Sequence, residues 1–366
     1  MLGSTSPCYR VLFALLGTLV VSFVLSDWLL YMRVQEYAVR PVEGEKAYSS
    51  SLPCDLDPLC IVTVKGLLLD HPNHYLLGPL AAIVDRLLSI SSGWTWVSPN
   101  AISGSHVLVA IAAAKCVASD SLSQRRIGVL LFQVRTWMDD LDGHVARKRR
   151  NIDGERSDFG STGYFVDGIC DGLGCAALMV GVYLFLRHNP PRRGYEKLQQ
   201  TLPSIDGRDC AGPGQVYRRK STKVNVLHTV LIVVGHLIIA SIGWNRYISL
   251  YQDLLESDEV VPPMIANDLY LRQSNVLRSG SFWSVVLSWR LFNFHAAIDY
   301  LLLAIFLDRL WEYMKIVQWL GYVVLLILIY FSELHFLEAY AYVHGAMFSI
   351  FLSRSIPPYG AAFNGT

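Results

Sequence analysis

Stretches close to the twenty apolar residues that a helix needs to cross a bilayer recur along the whole chain. They occupy residues 11–32, 101–118, 127–145, 163–186, 224–244, 285–307 and 314–331. Composition agrees: 17% of the 366 residues are charged and 52% are hydrophobic, whereas soluble domains carry about 25% charged residues. A soluble core of this size would lack the charge to cover its surface. The expectation is therefore an all-α integral membrane protein of about seven spans. A formal net charge of +1 excludes nucleic acid as the main partner. The run at 11–32 is too long for a signal peptide and no small-residue cleavage site follows it, so residues 1–32 read as an uncleaved anchor. Residues 33–95 read as a linker segment along the membrane surface, and 336–366 as an interfacial segment and tail, because 339–352 is too short to span.

The span at 127–145 is the most polar of the set and the most informative. It ends on Asp139, Asp140 and Asp142, and the next span begins with Asp167 and Asp171. A charged side chain at the centre of a bilayer helix costs about 2.5–3.5 kcal/mol on insertion scales. One arginine can offset one or two acids, but a short loop carries this whole cluster to one membrane face. Asp139 and Asp142 are three residues apart and Asp167 and Asp171 are four apart, so each pair shares a helix face. Facing pairs make an oxygen-only site for two divalent cations, Mg²⁺ or Mn²⁺ rather than zinc. Two such ions are the usual clamp on a phosphoryl group under in-line attack. Gly143 follows Asp142 directly, and Gly163 lies four residues before Asp167. Glycine inside a helix costs about 1 kcal/mol and wants a reason, such as a ligand approaching the backbone. Arg147 lies at the helix end, within reach of a second phosphate.

Written together, Asp139-x-x-Asp142-Gly143-x-x-Ala146-Arg147 and Gly163-x-x-x-Asp167-x-x-x-Asp171 resemble the signature of the CDP-alcohol phosphatidyltransferase family, and Ser98-Pro99-Asn100 resembles the entry to its first core helix. The resemblance covers residues 96–335. It implies a six-helix core, often a homodimer, with a CDP-alcohol and two metal ions beside a lipid-facing groove. By position, Asp139, Asp142, Asp167 and Asp171 would hold metal, Asp171 would also serve as general base, and Gly143, Ala146, Arg147 and Gly163 would line the CDP pocket.

The spacing departs from the family pattern, with fifteen residues between Arg147 and Gly163 where about eight or nine are common. That longer loop, the amino-terminal anchor and the segment GYFVDGICDGLG are similar to the ceramide-specific branch of insects. This narrower resemblance implies transfer of phosphoethanolamine from CDP-ethanolamine to ceramide in the Golgi. The residues themselves leave open diacylglycerol as acceptor, choline as headgroup and the choice between the two metals. A cation transporter is the rival from another class, but transport sites favour broken helices near the midplane and these acids stand at helix ends.

Lys and Arg are more than twice as dense in the loops on the side opposite the motif (1–10, 119–126, 187–223, 308–315) as on the motif side. Basic loops stay cytosolic, so the motif is expected to face the lumen. Part of the motif-side charge, the run Arg147–Arg150 and Arg156, is expected to serve the nucleotide and its phosphates. Cys54 and Cys60 can bridge if their segment also faces an oxidising lumen. His295 and Asp299, four apart in a span, are either a buried hydrogen-bonded pair or a device that orients the acceptor hydroxyl.

Overall fold

The structure is a computed structural model and describes residues 7–37, 52–54, 56–94, 96–152, 162–190, 225–257 and 266–345. Most of the expected loop after Arg147, residues 191–223 of the basic loop and the chain beyond 345 lie outside these residues. Among the described residues the secondary structure is entirely helical: α1 (Pro7–Glu36), α2 (Val64–Leu68), α3 (Gly78–Leu88), α4 (Ile90–Gly93), α5 (Pro99–Val117), α6 (Leu122–Arg149), α7 (Thr162–His188), α8 (Val226–Leu255), α9 (Ala266–Arg278), α10 (Gly280–Phe292), α11 (Phe294–Phe306), α12 (Leu310–Ile316) and α13 (Tyr322–His344), with π turns at Asn73–Leu77 and Val317–Gly321.

Among the described residues, five helical stretches are long and apolar enough to cross a membrane: Arg10–Glu36, Pro99–Val117, Thr162–His188, Val226–Leu255 and Leu310–His344. This is an all-α integral membrane protein. Two of the seven expected spans take a different form. The stretch at 127–145 is part of α6, a continuous 28-residue helix whose Arg and Asp residues keep it below the hydropathy of a simple span. The stretch at 285–307 is two 13-residue helices, α10 and α11. Asn293 breaks it by accepting the Ala296 N–H at 2.8 Å and so capping α11, while its own amide donates to the Leu68 carbonyl at 3.3 Å. At the carboxy-terminal end, residues 339–344 continue α13 instead of starting a separate element. Nothing between Tyr322 and His344 breaks a helix, and its polar groups find partners. Glu333 pairs with Arg246 at 3.1 Å, and Tyr251 bonds His335 at 2.7 Å.

Helices α5, α6 and α7 pack closely because small residues let their backbones meet. A Cβ on Gly128 of α6 would stand 2.8 Å from the Ala113 carbonyl of α5, and one on Gly181 of α7 would stand 2.5 Å from that of Ala114. Ala110, Ala113 and Val117 of α5 are fully buried in this contact. The α6–α7 hairpin is thus fixed against α5, which sets the distance between the acids it carries.

The segment expected along the membrane surface contains a helix that lies inside the protein. In α2, Val64, Leu67 and Leu68 are buried in the larger core cluster, with Trp244 and Tyr247 of α8 and Val286 and Trp289 of α10. Helix α1 leaves Val11, Phe13, Leu15, Val20 and Val24 exposed, as a lipid-facing anchor would. It docks through Leu30 and Val34 and through Asp27. Asp27 accepts from Tyr75 at 2.8 Å, pairs with His71 at 2.8 Å and lies 3.2 Å from Nε of the fully buried Arg290.

Candidate active site

Each acid of the motif takes its position from helix register. Asp139 and Asp142 face inward near the carboxy-terminal end of α6, and α7 begins at Thr162, so Gly163, Asp167 and Asp171 fall within its first three turns. One ligand atom each from Asp139, Asp167, Asp171 and His106 can be chosen so that all lie within 4.8 Å of one another. Asp142 stands just outside that group. Its carboxylate accepts from Ser103 Oγ at 2.6 Å and lies 4.0 Å from His106 Nε2. His106 Nε2 is also 3.6 Å from Asp139. Ser103 and His106, three residues apart on α5, therefore close the third side of the cluster.

Among the described residues, one arginine enters this group. Arg135, one turn before Asp139 on α6, donates to Asp171 and lies 3.8 Å from Asp139. Gly174 makes room for it, since a Cβ there would sit 3.0 Å from the guanidinium Nε. A single arginine does not balance the carboxylates. Asp139 Oδ1, Asp167 Oδ1 and both ring nitrogens of His106 are buried without a hydrogen-bond partner. Buried polar atoms are rarely left this way without a functional reason. Surplus negative charge, unsatisfied oxygens and a donor set of three carboxylates to one imidazole fit a divalent cation with a preference for oxygen ligands.

The cluster opens onto a groove of about 660 Å³. Its polar end is lined by Asp139, Gly143, Arg147, Asp167 and Asp171, and its far wall by Met179, Val234, Leu237, Ile238 and Ile242. A second cavity of about 420 Å³ shares Leu69, Asn73, Asp140 and Arg147 with the groove and is walled by Cys54, Pro58, His144 and Lys148. Cys54 and Cys60 are joined as a disulfide, so the closed loop borders this chamber. Behind Asp171 a space of about 10 Å³, the size of one water, is bounded by Arg135, His295 and Asp299.

Apart from Asp142, held by Ser103, the expected site residues fall into three sets. Asp139, Asp167, Asp171, Gly143 and Arg147 line the groove. Ala146 and Gly163 are half-buried and line neither cavity. His295 touches the groove and packs edge-on against Trp244 with centroids 5.1 Å apart, while Asp299 sits deeper and accepts from Gln133 at 2.8 Å. The basic run after Gly143 divides. Arg149 donates to the carbonyls of Ile90, Ser91, Trp94 and Val97, and Lys148 pairs with Asp85 at 2.8 Å. Those two staple α3 and α4 to α6 and are not free for a nucleotide. Ser103 and His106 escape a reading of the motif because they belong to another helix. Their one signal is polarity at a three-residue spacing in a helix of small apolar residues.

The ceramide phosphoethanolamine synthase family profile matches residues 1–346. The chain belongs to the ceramide phosphoethanolamine synthase family. Membership makes it a transferase of the CDP-alcohol phosphotransferase type. The chain is 39% identical to ceramide phosphoethanolamine synthase of Drosophila melanogaster over 391 aligned positions, which cover 94% of this chain and 97% of the fly protein. No solved structure matches it significantly.

Proposed function

We propose that this member of the ceramide phosphoethanolamine synthase family transfers phosphoethanolamine from CDP-ethanolamine to the primary hydroxyl of ceramide and releases CMP. The observation that carries this reading is the cluster of under-neutralised carboxylates at the mouth of a groove that is polar at one end and apolar at the other. Such a groove seats a charged diphosphate beside a lipid chain. Asp139, Asp142, Asp167 and Asp171, with His106, would hold two divalent cations, Mn²⁺ or Mg²⁺, which when bound neutralise the diphosphate and the leaving phosphate.

The protein's own groups then have defined work. The ceramide hydroxyl oxygen attacks the β-phosphorus, the bond from that phosphorus to the CMP oxygen breaks, and CMP departs with the electron pair. Asp171 takes the hydroxyl proton during attack, because a primary alcohol is a weak nucleophile until it is deprotonated. The bond from Arg135 fixes the Asp171 carboxylate in place. Arg147 and Gly143 border the path of the phosphates. His295 and Asp299 lie behind Asp171 and orient the acceptor. The apolar wall from Met179 to Ile242 keeps water from competing with the lipid hydroxyl.

The same reading places the enzyme in the Golgi as a homodimer, with its active site in the lumen. Two observations support the lumenal side: basic residues are sparse on the motif side, and the Cys54–Cys60 disulfide borders the second chamber, as an oxidising compartment permits. The test is a panel of purified enzyme with CDP-ethanolamine or CDP-choline as donor, and ceramide or diacylglycerol as acceptor, at defined Mn²⁺ and Mg²⁺. The expected product is ceramide phosphoethanolamine with stoichiometric CMP. Product from diacylglycerol alone would replace this reading with a glycerolipid phosphotransferase. Protease added outside sealed Golgi vesicles should cut the loop at 187–223, and protection of that loop would reverse the topology.

A further inference from the structure

We propose that Lys65, from the amino-terminal segment outside the CDP-alcohol core, positions the donor's diphosphate by placing its ammonium on the phosphates in the groove. This rests on the function proposed above and adds a phosphate contact that the aspartate motif does not contain.

Lys65 is the second residue of α2, a five-residue helix held in place by side chains from distant parts of the chain. Thr63 caps it by accepting the Gly66 N–H at 3.2 Å, and Glu256 accepts the Val64 N–H at 2.7 Å. Arg290 donates to the Leu67 carbonyl at 3.2 Å, and Trp244 donates to the Leu68 carbonyl at 2.8 Å. Every other residue of this helix is buried. Lys65 alone is half-exposed, and the surface it reaches is the groove. Two remote helices, α8 with its cap Glu256 and α10, thus fix a backbone whose one outward side chain is a cation beside the reactive centre. It lies close enough to Asp167 and His295 to interact with both electrostatically.

The other cations near the site are committed: Arg135 to Asp171, Lys148 to Asp85 and Arg149 to four carbonyls. No ion pair or hydrogen bond among the described residues holds the Lys65 ammonium. Its nearby counter-charge within the protein is the Asp167 carboxylate, and with divalent cations on the carboxylates the remaining counter-charge is the substrate's. A diphosphate lying in the groove that Lys65 and Arg147 both line would give the Lys65 ammonium that counter-charge.

The experiment separates donor binding from fold. In Lys65→Gln, KM for CDP-ethanolamine should rise about ten- to a hundredfold, the loss of one charge-assisted hydrogen bond. KM for ceramide should stay within twofold, and Lys65→Arg should recover most of the loss. A wild-type measurement needs no variant. Cytidine diphosphate, which has both phosphates and no competing alkyl amine, should protect Lys65 from amine-directed acylation in the presence of Mn²⁺, as read by mass spectrometry. An unmoved donor KM, or full labelling at saturating cytidine diphosphate, would overturn the role. Absence of turnover in the wild type would strike the proposed reaction instead, and the labelling would still decide Lys65.

Discussion

Two buried acidic centres in this protein differ in how their charge is met. Asp27 of α1 has both oxygens engaged, by His71 and Tyr75, with the buried Arg290 guanidinium alongside. At the α6–α7 hairpin, Asp139, Asp142, Asp167 and Asp171 have a single arginine among them, and oxygens of Asp139 and Asp167 are left unsatisfied. The first arrangement is complete and holds the anchor to the core. The second is incomplete and carries a standing demand for cations. Both read alike in the sequence, as acids in apolar runs. Counting unmet oxygens tells a structural acid from a functional one.

The sharpest way to break this comparison is to remove one acid from each centre. Asp167→Asn or Asp171→Asn should lower turnover about a thousandfold or more and leave the melting temperature unchanged or higher, since like charges are relieved. Asp27→Ala should do the reverse, costing about 3–5 kcal/mol by stranding Arg290 while the folded fraction keeps its turnover. Inactivation without destabilisation at Asp27 would erase the distinction.

A smaller effect comes from ligand linkage. Mn²⁺ or Mg²⁺ at a hundred times its dissociation constant should stabilise the wild type by about 2.7 kcal/mol, and a chelator should reverse this. The same ion should stabilise Asp27→Ala equally and Asp167→Asn much less. Equal shifts in all three would place the ion elsewhere.

The smallest effect tests an acid that is met, outside the spans. Burial pushes the Asp85 carboxyl up, but the Lys148 ammonium at 2.8 Å and two bonds from Ser91 overcome it and bring it down to about 2. A carboxyl lowered in the folded state contributes stability above its unfolded value of 3.8 and loses it as pH falls towards about 2. Acid titration of unfolding should show that loss in the wild type and not in Asp85→Asn. A parallel loss in both would remove Asp85 from the account.

Much of the site is legible along the chain because helices convert spacing into faces. Intervals of three and four bring Asp139 towards Asp142 and Asp167 towards Asp171, and the short connection brings the two faces together. His106, Ser103 and Lys65 carry no such mark. They join the site only because α5 packs on the hairpin at Gly128 and Gly181, and because α2 is drawn into the core. Arg149 shows the opposite failure. It stands in a basic run suited to phosphate, yet the carbonyls of Ile90, Ser91, Trp94 and Val97 engage all three of its guanidinium nitrogens.

By itself the sequence determined the solvent, the helical class and the acids, since apolar runs and periodicity are local properties that hold wherever the chain ends up. Tertiary structure alone decided which acids are neutralised and which remain in need of a cation. Neutralisation depends on distances between side chains far apart in the chain, and only packing sets those distances.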